Sequence, residues 1–343
     1  MRRLPALIGA CLTMLTLSLA GVAETPAKDA ILFDDSPLEV PLAYPEWFKR
    51  SFLDLQEDMA EATRAGKRGI LVYFGQQRCA YCKMLMEENF GRTDIVEYTR
   101  RNFDIIPIDI WGIDEVTDLQ GKRLSERDYA LREGTDFTPS LIYYDKEGNK
   151  ALMLRGYYPP YQFRAALEFV ADGHYKTESF AAYLERGEAS FSLGSSELNA
   201  EDFFIPPPHN LDRTRMPGER PLVVFFEQGE CHACDVLHAQ PLREPAIGKQ
   251  FQDFDSVQLD LWSGTPVITP DGRRTTAKAW ARSLGLFYAP SLIFFDECGK
   301  EIIRIDSVVR FFRLNSLLRY ISSRGYLDEP SYLRWRMTRS ARP

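Results

Sequence analysis

The sequence lacks an excess of positive charge, and beyond its first 23 residues it lacks a long hydrophobic run. With 42 lysines and arginines against 49 acidic residues, the formal net charge of −7 gives the chain no basic footprint for nucleic acid. Hydrophobic residues at 45% and charged residues at 27% are close to globular averages, which excludes wholesale disorder, collagen-like repeats and a multi-span membrane protein. The length of 343 residues predicts roughly two domains, each large enough to bury a core.

The one long apolar run lies at the N-terminus. Arg2 and Arg3 precede apolar residues 4–22, and a group of small residues ends at Ala23. This pattern predicts a cleaved secretory signal peptide over residues 1–23, and therefore an exported protein that is not an integral membrane protein after cleavage. Removing 23 residues from 343 leaves 320, and the loss of two arginines takes the net charge from −7 to −9. A membrane anchor and a lipoprotein site are the alternatives, but proline and glycine interrupt the run, which also continues past its cysteine.

The cysteines are few and mostly paired. Four of the six form two pairs of identical spacing, Cys79 with Cys82 and Cys231 with Cys234. Because disulfides persist in exported proteins, we interpret the pairs as redox dithiols rather than metal sites, and we expect no metal and no cofactor. The cysteine left over in the mature chain, Cys298, falls in a predicted hairpin turn, where we expect an exposed free thiol.

The chain also contains an internal repeat. One pair of segments around the CxxC motifs aligns at an offset of 152 residues, and two further pairs align at an offset of 151. The aligned segments are 68–79 with 220–231, 109–111 with 260–262, and 139–142 with 290–293. Agreement that extends over roughly a hundred residues identifies a tandem duplication.

Each copy has the same predicted order of elements: strand, CxxC, helix, strand, helix, proline, strand, turn, strand, helix. Continuous apolar runs at 70–74 and 222–226 predict strands that are buried on both faces. The other segments with predicted bounds are strands 103–110 and 254–261 and helices 125–133, 276–284, 161–172 and 314–323. Gly148 and Gly299 are available for the positive φ that tight hairpin turns require.

The repeat and the local composition predict the domain boundaries. Apolar residues at near-helical spacing over 44–64 predict a helix before the CxxC of the first domain, which spans 24–186. Stretches rich in glycine, serine and proline predict a linker over 187–219. The second domain, 220–343, ends in a basic tail that we interpret as a solvated helix end.

Two features together carry a resemblance to the thioredoxin fold. A CxxC follows a buried strand, and a proline stands 60 or 59 residues after the first cysteine, directly before an apolar strand. The first copy, over about residues 68–184, resembles SoxW-type periplasmic thioredoxins through Asp-Ile-Trp-Gly at 109–112 and Phe-Thr-Pro-Ser at 137–140. The resemblance implies an α/β protein of two tandem thioredoxin-like folds, each a mixed central sheet flanked by helices.

The resemblance also implies where a substrate would bind. Pro139 and Pro290 would be cis prolines that face the dithiols. The loops that contain Thr138 and Ala289 would then lie over the sulfur atoms and offer backbone hydrogen bonds to an extended substrate.

The four paired cysteines receive separate roles. Cys79 and Cys231 are predicted to attack, because unpaired N–H groups at a helix N-terminus favour a thiolate, and Cys82 and Cys234 are predicted to resolve the mixed disulfide. The resemblance implies a periplasmic thiol–disulfide oxidoreductase that reduces disulfides of exported proteins with electrons from a membrane thiol reductase. A disulfide isomerase or oxidase is one alternative. The other is a copper- or substrate-binding module without turnover, for which the candidate copper ligands are Cys231, His232, Cys234 and His238, or Cys79 and Cys82 with Met84 and Met86.

Both copies depart from the thioredoxin pattern near the first cysteine. Arg78 and Glu230 stand where thioredoxins usually have tryptophan, and side chains directed inward there would favour and disfavour the thiolate, respectively. The buried acid that many thioredoxins carry six positions before the first cysteine is replaced by Tyr73 and Phe225. We therefore expect proton transfer at these dithiols to differ from that in thioredoxins.

Overall fold

The computed structural model describes residues 33–188 and 197–340, apart from the side chains of Glu188 and Ser340. The predicted signal peptide and part of the predicted linker lie outside the described residues. The described residues from Asp34 onward belong to one compact unit. None of the described helices is long and apolar enough to cross a membrane.

The first repeat forms a four-stranded sheet with helices on its faces. Its elements in chain order are α1 (Leu55–Arg64), β1 (Gly69–Gly75), α2 (Ala80–Met84) with a π-helical turn (Leu85–Asn89), α3 (Thr93–Asn102), β2 (Phe103–Asp109), β3 (Glu115–Thr117), β4 (Arg123–Ser125), α4 (Glu126–Glu133), β5 (Ser140–Asp145), β6 (Lys150–Arg155), α5 (Pro160–Ala171), a 3₁₀ turn (His174–Lys176) and α6 (Phe180–Glu188). The sheet order is β2-β1-β5-β6.

Strand β1 lies inside this sheet and sets the position of the first CxxC. It pairs parallel with β2 and antiparallel with β5, and all seven of its residues are buried. This burial matches the continuous apolar run, so the predicted strand 70–74 is confirmed. Phe74 near the end of β1 pairs with Ser140 at the start of β5. The CxxC after β1 and the proline loop before β5 therefore meet at one edge of the sheet.

The second repeat is built in the same way. Its elements in chain order are β7 (His209–Asn210), β8 (Leu222–Glu227), α7 (His232–Ala239), a 3₁₀ turn (Pro241–Arg243), α8 (Pro245–Phe251), β9 (Asp255–Asp260), β10 (Pro266–Ile268), β11 (Arg274–Thr276), α9 (Ala277–Ser283), β12 (Ser291–Phe295), β13 (Glu301–Ile305), α10 (Phe311–Ser322), α11 (Gly325–Asp328) and α12 (Tyr332–Ser340). Its sheet order, β13-β12-β8-β9, repeats that of the first copy. Phe226 pairs with Ser291, so the second CxxC and its proline loop also meet at one sheet edge.

The hairpin turns of both repeats agree with the sequence pattern, whereas the closing helix of the second repeat begins earlier than predicted. Gly148 and Gly299 have φ values of 82° and 83°, as the predicted turns require. The closing helix predicted over 314–323 begins earlier, at Phe311. The Asp35 carboxylate accepts hydrogen bonds from two backbone N–H groups of its first turn. These donors would otherwise have no partner within the helix, so a remote side chain extends it.

The helix predicted over 44–64 is wrong in its first half, because the observed helix begins only at Leu55. The Asp54 carboxylate accepts hydrogen bonds from two backbone N–H groups of the first turn and caps the helix there. Before this cap, Phe48 is buried among aromatic rings of the core, whereas Phe52 is 97% exposed. The near-helical spacing of the upstream aromatic residues therefore does not correspond to a helix, because residues 44–53 form an irregular segment in which Phe48 is buried and Phe52 is not.

The described part of the predicted linker, residues 197–219, packs on the second repeat instead of spanning open space. Strand β7 pairs parallel with β10, and the Ile205 N–H donates to the Ser256 carbonyl oxygen at 2.8 Å. The buried Arg213 guanidinium donates to the Arg220 carbonyl oxygen at 2.6 Å and to the Asp255 carboxylate at 2.9 Å. The composition rich in proline and glycine agrees with a segment that has no regular helix. However, these contacts attach the segment to the second repeat.

The two repeats share their cores. Phe137, from the loop before β5, packs in the core of the second repeat, and Leu333, from α12, packs in the core of the first. The ring of Tyr158 stacks on that of Phe287 across the same interface, with centroids 5.4 Å apart. The basic tail is therefore not a solvated helix end along its whole surface, because one face of α12 is buried between the repeats.

Candidate active sites

The first dithiol lies where β1 gives way to α2. Cys79 is the N-cap of α2 and forms a disulfide with Cys82. Its Sγ accepts a hydrogen bond of 2.9 Å from the Cys82 backbone N–H. Cys79 is 3% exposed and Cys82 is fully buried. Because the N–H bond favours negative charge on Cys79, this sulfur is suited to attack, and the buried Cys82 sulfur is suited to resolve.

The second dithiol repeats this geometry. Cys231 is the N-cap of α7 and forms a disulfide with Cys234, whose backbone N–H donates to the Cys231 Sγ at 3.1 Å. Cys231 is 7% exposed and Cys234 is fully buried. The remaining cysteine among the described residues, Cys298, is exposed and unpaired, in agreement with its predicted place in a turn.

The structure places one residue of each predicted substrate loop, Thr138 and Ala289, next to the first sulfur of a dithiol. The Thr138–Pro139 and Ala289–Pro290 bonds are cis, as the resemblance implies. The Cys79 Sγ lies 3.3 Å from the Thr138 hydroxyl oxygen, and the hydroxyl is the donor because the sulfur is in a disulfide. At the second site the Cys231 Sγ lies 3.7 Å from the carbonyl oxygen of Ala289, which can only accept. A donor therefore faces the first attacking sulfur and an acceptor faces the second.

A hydrogen-bonded glutamine–tryptophan pair occurs in each repeat, and in the first it contacts the cis-proline loop. The Gln76 side-chain amide donates to the Thr138 hydroxyl at 3.2 Å and accepts from the Trp111 indole N–H. At the second site, Gln228 accepts from the Trp262 indole N–H at 2.9 Å. Sequence reasoning did not assign these residues, although both copies carry glutamine three positions before the first cysteine.

The residues that precede the attacking cysteines have exposed side chains. Neither Arg78 nor Glu230 is buried against the sulfur atoms, although Arg78 borders the open space in front of Cys79. Tyr73, six positions before Cys79, is fully buried, and this burial raises the pKa of its hydroxyl well above the usual range. The replacement of the thioredoxin acid is therefore a neutral side chain within the sheet.

A buried acid is present near the second dithiol at a different position. Glu227, four residues before Cys231, is fully buried and accepts from His238 Nε2 at 3.0 Å and from the Gln258 amide at 2.7 Å. The Nδ1 of His238 lies 2.9 Å from the Glu201 carboxylate. Burial alone would lower the pKa of His238, but the hydrogen bonds and charges of both carboxylates outweigh it and raise that pKa.

Both ring nitrogens of His238, one of the candidate copper ligands, are engaged in these contacts. Each nitrogen faces a carboxylate from a different segment, so the ring is not directed at the Cys231–Cys234 pair. Among the residues that the structure describes, no group of three or more histidine, cysteine or acidic side chains is placed to hold a metal ion. Sequence reasoning missed the contact with Glu201 because that residue was assigned to the linker.

The first dithiol opens into a cavity of about 230 Å³ between the two repeats. Its walls include Cys79 and the cis-proline loop from the first repeat and residues of α10 and α12 from the second. Arg313 of α10 donates to the Thr138 carbonyl oxygen at 2.7 Å and lies 3.6 Å from the centroid of the Tyr81 ring. The second repeat therefore covers part of the first site and occupies an acceptor of its cis-proline loop.

Solved structures similar to parts of this chain include a thioredoxin-fold protein. A thioredoxin-fold protein from Helicobacter pylori is 24% identical over 35% of this chain and 84% of that chain, with a TM-score of 0.31. A disulphide isomerase from Xylella fastidiosa is 17% identical over 42% of this chain and 98% of that chain, with a TM-score of 0.26. The C-terminal domain of DsbD from Neisseria meningitidis is 16% identical over 31% of this chain and 84% of that chain, with a TM-score of 0.24. Comparison with the curated proteins gives no match.

The family of the thioredoxin-like domain matches the sequence twice, over residues 55–171 and 207–322. These two regions contain the two CxxC pairs, the cis prolines Pro139 and Pro290 and both four-stranded sheets, which confirms the predicted mixed α/β fold in two tandem copies. Because the matches together extend over more than half of its length, the chain belongs to the thioredoxin-like domain family.

Proposed function

We propose that this protein is a thiol–disulfide oxidoreductase that reduces disulfides in the periplasm, including those of exported proteins, with electrons from a membrane thiol reductase. One observation carries the proposal. In each repeat the first sulfur of a CxxC stands at a helix start, accepts a backbone N–H and lies against a cis-proline loop, while the second sulfur is fully buried. The SoxW-like motifs of the first repeat support the reducing direction.

The proposed reaction is a two-electron exchange. The Cys79 thiolate attacks one sulfur of the substrate disulfide, whose S–S bond breaks, and the departing thiolate takes a proton from solvent. A mixed disulfide now joins Cys79 to the substrate. The Cys82 sulfur, once deprotonated, attacks the Cys79 sulfur and releases the second substrate thiol. The Cys79–Cys82 disulfide in the structure is the product of this step, and an external dithiol must reduce it before the next cycle.

The second dithiol is proposed to exchange by the same steps, with Cys231 attacking and Cys234 resolving. Its surroundings differ from those of the first, because the carbonyl of Ala289 faces Cys231 where a hydroxyl faces Cys79. A carbonyl oxygen can accept a hydrogen bond from the S–H group of a neutral thiol but gives no stabilisation to a thiolate. We therefore expect the first dithiol to be the faster nucleophile of the two.

The reduction potential of each dithiol tests the direction. The mature protein is equilibrated with redox buffers, and free thiols are trapped and located by mass spectrometry. Potentials near roughly −270 mV, as in thioredoxin, are expected for a reductant. Values between roughly −120 and −180 mV would overturn the reducing direction and favour an oxidase or an isomerase.

Trapping of the mixed disulfide tests the assigned roles. Cys82→Ser is expected to accumulate a covalent adduct with a substrate disulfide through Cys79, because the resolving sulfur is absent. The matched variant Cys79→Ser should form no adduct at this site.

Cell fractionation followed by mass spectrometry tests the periplasmic assignment. The protein should be found in the periplasmic fraction, with a mass that corresponds to a chain beginning at Glu24. A chain that retains residues 1–23 would contradict the signal-peptide prediction.

A further inference from the structure

The cavity at the first dithiol is small and basic. Its volume of about 230 Å³ is below the range of about 300–1,000 Å³ typical of pockets for drug-sized ligands. Three guanidinium groups line it together with Cys79, those of Arg78, Arg313 and Arg336. Asp35 is the carboxylate in the lining. The cavity wall thus carries a net positive charge in a chain whose formal net charge is −7.

Asp35 and Arg313 are both engaged in holding the repeats together. The Asp35 carboxylate accepts hydrogen bonds from the Tyr81 hydroxyl and from two backbone N–H groups at the start of α10. The Arg313 guanidinium donates to the carbonyl oxygens of Thr138 at 2.7 Å and Val308 at 3.2 Å. The Thr138 carbonyl is the acceptor that an extended substrate segment would use next to the dithiol. A peptide strand that pairs with this loop must therefore compete with Arg313.

The two other arginines of the cavity, Arg78 and Arg336, can provide positive charge to a ligand. Within residues 33–188 and 197–340, neither guanidinium forms an ion pair with a carboxylate. Arg336 lies over the rings of Trp111 and Tyr332, at 6.0 and 5.8 Å from their centroids, and Arg78 is the exposed residue directly before Cys79. Two cations that form no ion pair in the described part of the chain thus border the cavity that contains the attacking sulfur, although the charge of Arg336 also acts on the Asp136 carboxylate, where it offsets part of the rise in pKa that burial causes. An anion that enters the cavity would therefore approach both guanidinium groups and the Cys79 sulfur at the same time.

We propose that the first dithiol takes a small disulfide whose two halves carry carboxylates, with Arg78 and Arg336 binding the carboxylate of the half that enters the cavity. This inference rests on the proposed function and specifies the substrate class of its first site. The Cys79 thiolate attacks the nearer substrate sulfur, the substrate S–S bond breaks, and the outer half leaves as a thiolate that takes a proton from solvent. The Cys82 sulfur then attacks Cys79, forms the Cys79–Cys82 disulfide and releases the inner half. The dithiol has lost two electrons, and the substrate disulfide has become two thiols that each carry a carboxylate.

The second dithiol provides an internal control for this charge preference. In the aligned copy, Glu230 stands at the position of Arg78 and is exposed directly before Cys231. The sign of the side chain next to the attacking sulfur is therefore reversed within one molecule. We expect the second dithiol to show no preference for acidic disulfides.

The test compares three disulfides of similar size and different charge: dithiodipropionate, bis(2-hydroxyethyl) disulfide and cystamine. The reduced full-length mature protein is mixed with each, and the oxidation of each dithiol is followed by acid quench, alkylation and mass spectrometry. Each rate constant is divided by that of free dithiothreitol with the same disulfide, because the leaving thiols differ in intrinsic reactivity. At the first dithiol we expect a normalised rate about tenfold higher for dithiodipropionate than for cystamine, and a smaller ratio at high salt.

Variants of single arginines distinguish binding by Arg78 and Arg336 from an effect of the overall charge of the protein. Arg78→Gln and Arg336→Gln should each lower the ratio of the anionic to the neutral disulfide at the first dithiol by about threefold or more. The matched control Arg339→Gln, on the same helix and over the ring of Trp335, should leave the ratio unchanged. Arg313 is kept because it holds the interface.

The outcomes distinguish this inference from the proposed function. A first dithiol that reacts with all three disulfides at equal normalised rates, or a ratio that neither arginine variant lowers, would overturn the charge preference and leave the oxidoreductase assignment standing. Failure of both dithiols to react with any of the three disulfides or with insulin would overturn the oxidoreductase assignment itself. A first dithiol that reduces insulin faster than dithiodipropionate, after the same normalisation, would show that it serves protein substrates and would also overturn the inference.

Discussion

The guanidinium of Arg313, in the second repeat, donates a hydrogen bond of 2.7 Å to the carbonyl oxygen of Thr138, in the cis-proline loop of the first. The same guanidinium stacks on Tyr81, which lies between Cys79 and Cys82 in the sequence. One side chain of the second repeat therefore contacts both segments that form the first dithiol site. The access, shape and charge of that site depend on how the two repeats pack together.

Replacement of Arg313 is expected to destabilise the protein strongly. Arg313→Ala removes two hydrogen bonds to carbonyl oxygens and the stacking on Tyr81, and leaves the Thr138 carbonyl without this partner. The expected loss is about 3 kcal/mol in the free energy of unfolding, measured by urea denaturation. Arg319→Ala, an exposed position on the same helix, should cost less than about 0.5 kcal/mol. Equal effects of the two variants would show that the Arg313 contacts contribute little.

The C-terminal helix α12 is expected to stabilise the first repeat. Leu333 of this helix is fully buried in the core that also contains Leu55 and Val116. Leu333→Ala should lower the free energy of unfolding by about 3 kcal/mol, because it leaves a cavity in that core. Hydrogen exchange should show the loss of protection in β1, which belongs to the first repeat.

Leu327→Ala is the matched control for this prediction, since Leu327 is 65% exposed on the neighbouring helix α11. It should change the free energy of unfolding by less than about 0.5 kcal/mol. Loss of amide protection in Leu333→Ala that is confined to the second repeat would contradict a role of α12 in the first.

The features that could be predicted from the sequence are those that depend on local patterns of residues. The strand at 70–74 is a continuous apolar run, and its burial on both faces follows from that pattern alone. The CxxC pairs and the prolines before β5 and β12 lie at sheet edges that the repeat alignment already related to one another. The dithiol sites and the cis-proline loops were therefore predictable in both copies.

The features that could not be predicted depend on contacts between distant parts of the chain. The Arg313–Thr138 hydrogen bond joins residues 175 positions apart, and the Leu333–Asp136 hydrogen bond joins residues 197 positions apart. Hydrophobic periodicity identifies a buried face but not the surface that covers it. For this reason α12 was interpreted as solvated, and the cavity above the first dithiol was not expected. Glu201 was missed likewise, because its partner His238 lies 37 positions away.

The hydroxyl of Thr138 is expected to increase the reactivity of Cys79. In the reduced protein this hydroxyl, held by the Gln76 amide, can donate to the sulfur and favour the thiolate. Thr138→Ala should slow alkylation of Cys79 by iodoacetamide at about pH 6 by roughly fivefold, which corresponds to the loss of a hydrogen bond of about 1 kcal/mol. The rate is measured separately for each cysteine by mass spectrometry.

The second repeat offers the reciprocal change, because alanine stands there naturally. Ala289→Thr should speed the alkylation of Cys231, while the Cys231 rate in Thr138→Ala should stay the same and serves as the internal control. An unchanged Cys79 rate in Thr138→Ala would show that the hydroxyl does not act on the thiolate.

His238 is expected to stabilise the fold more at lower pH. The ring lies between the carboxylates of Glu227 and Glu201, whose hydrogen bonds and charges raise its pKa in the folded protein despite its burial. The folded state therefore holds this proton more tightly than the unfolded state. The resulting stability is fully present below about pH 6.5, the unfolded-state pKa of histidine, and is lost as the pH rises through the raised folded-state value.

The measurement is urea denaturation of the wild type and of His238→Gln at intervals from about pH 6 to about pH 9. The wild type should be more stable than the variant by a margin that shrinks as the pH rises, because only the protonated ring carries the charge that both carboxylates attract. His174→Gln is the control, since that partly exposed ring has one carboxylate near it, at 3.6 Å. A margin that grows with pH would mean that His238 is held neutral in the folded protein and that its carboxylate neighbours bind it only as a hydrogen-bonding ring.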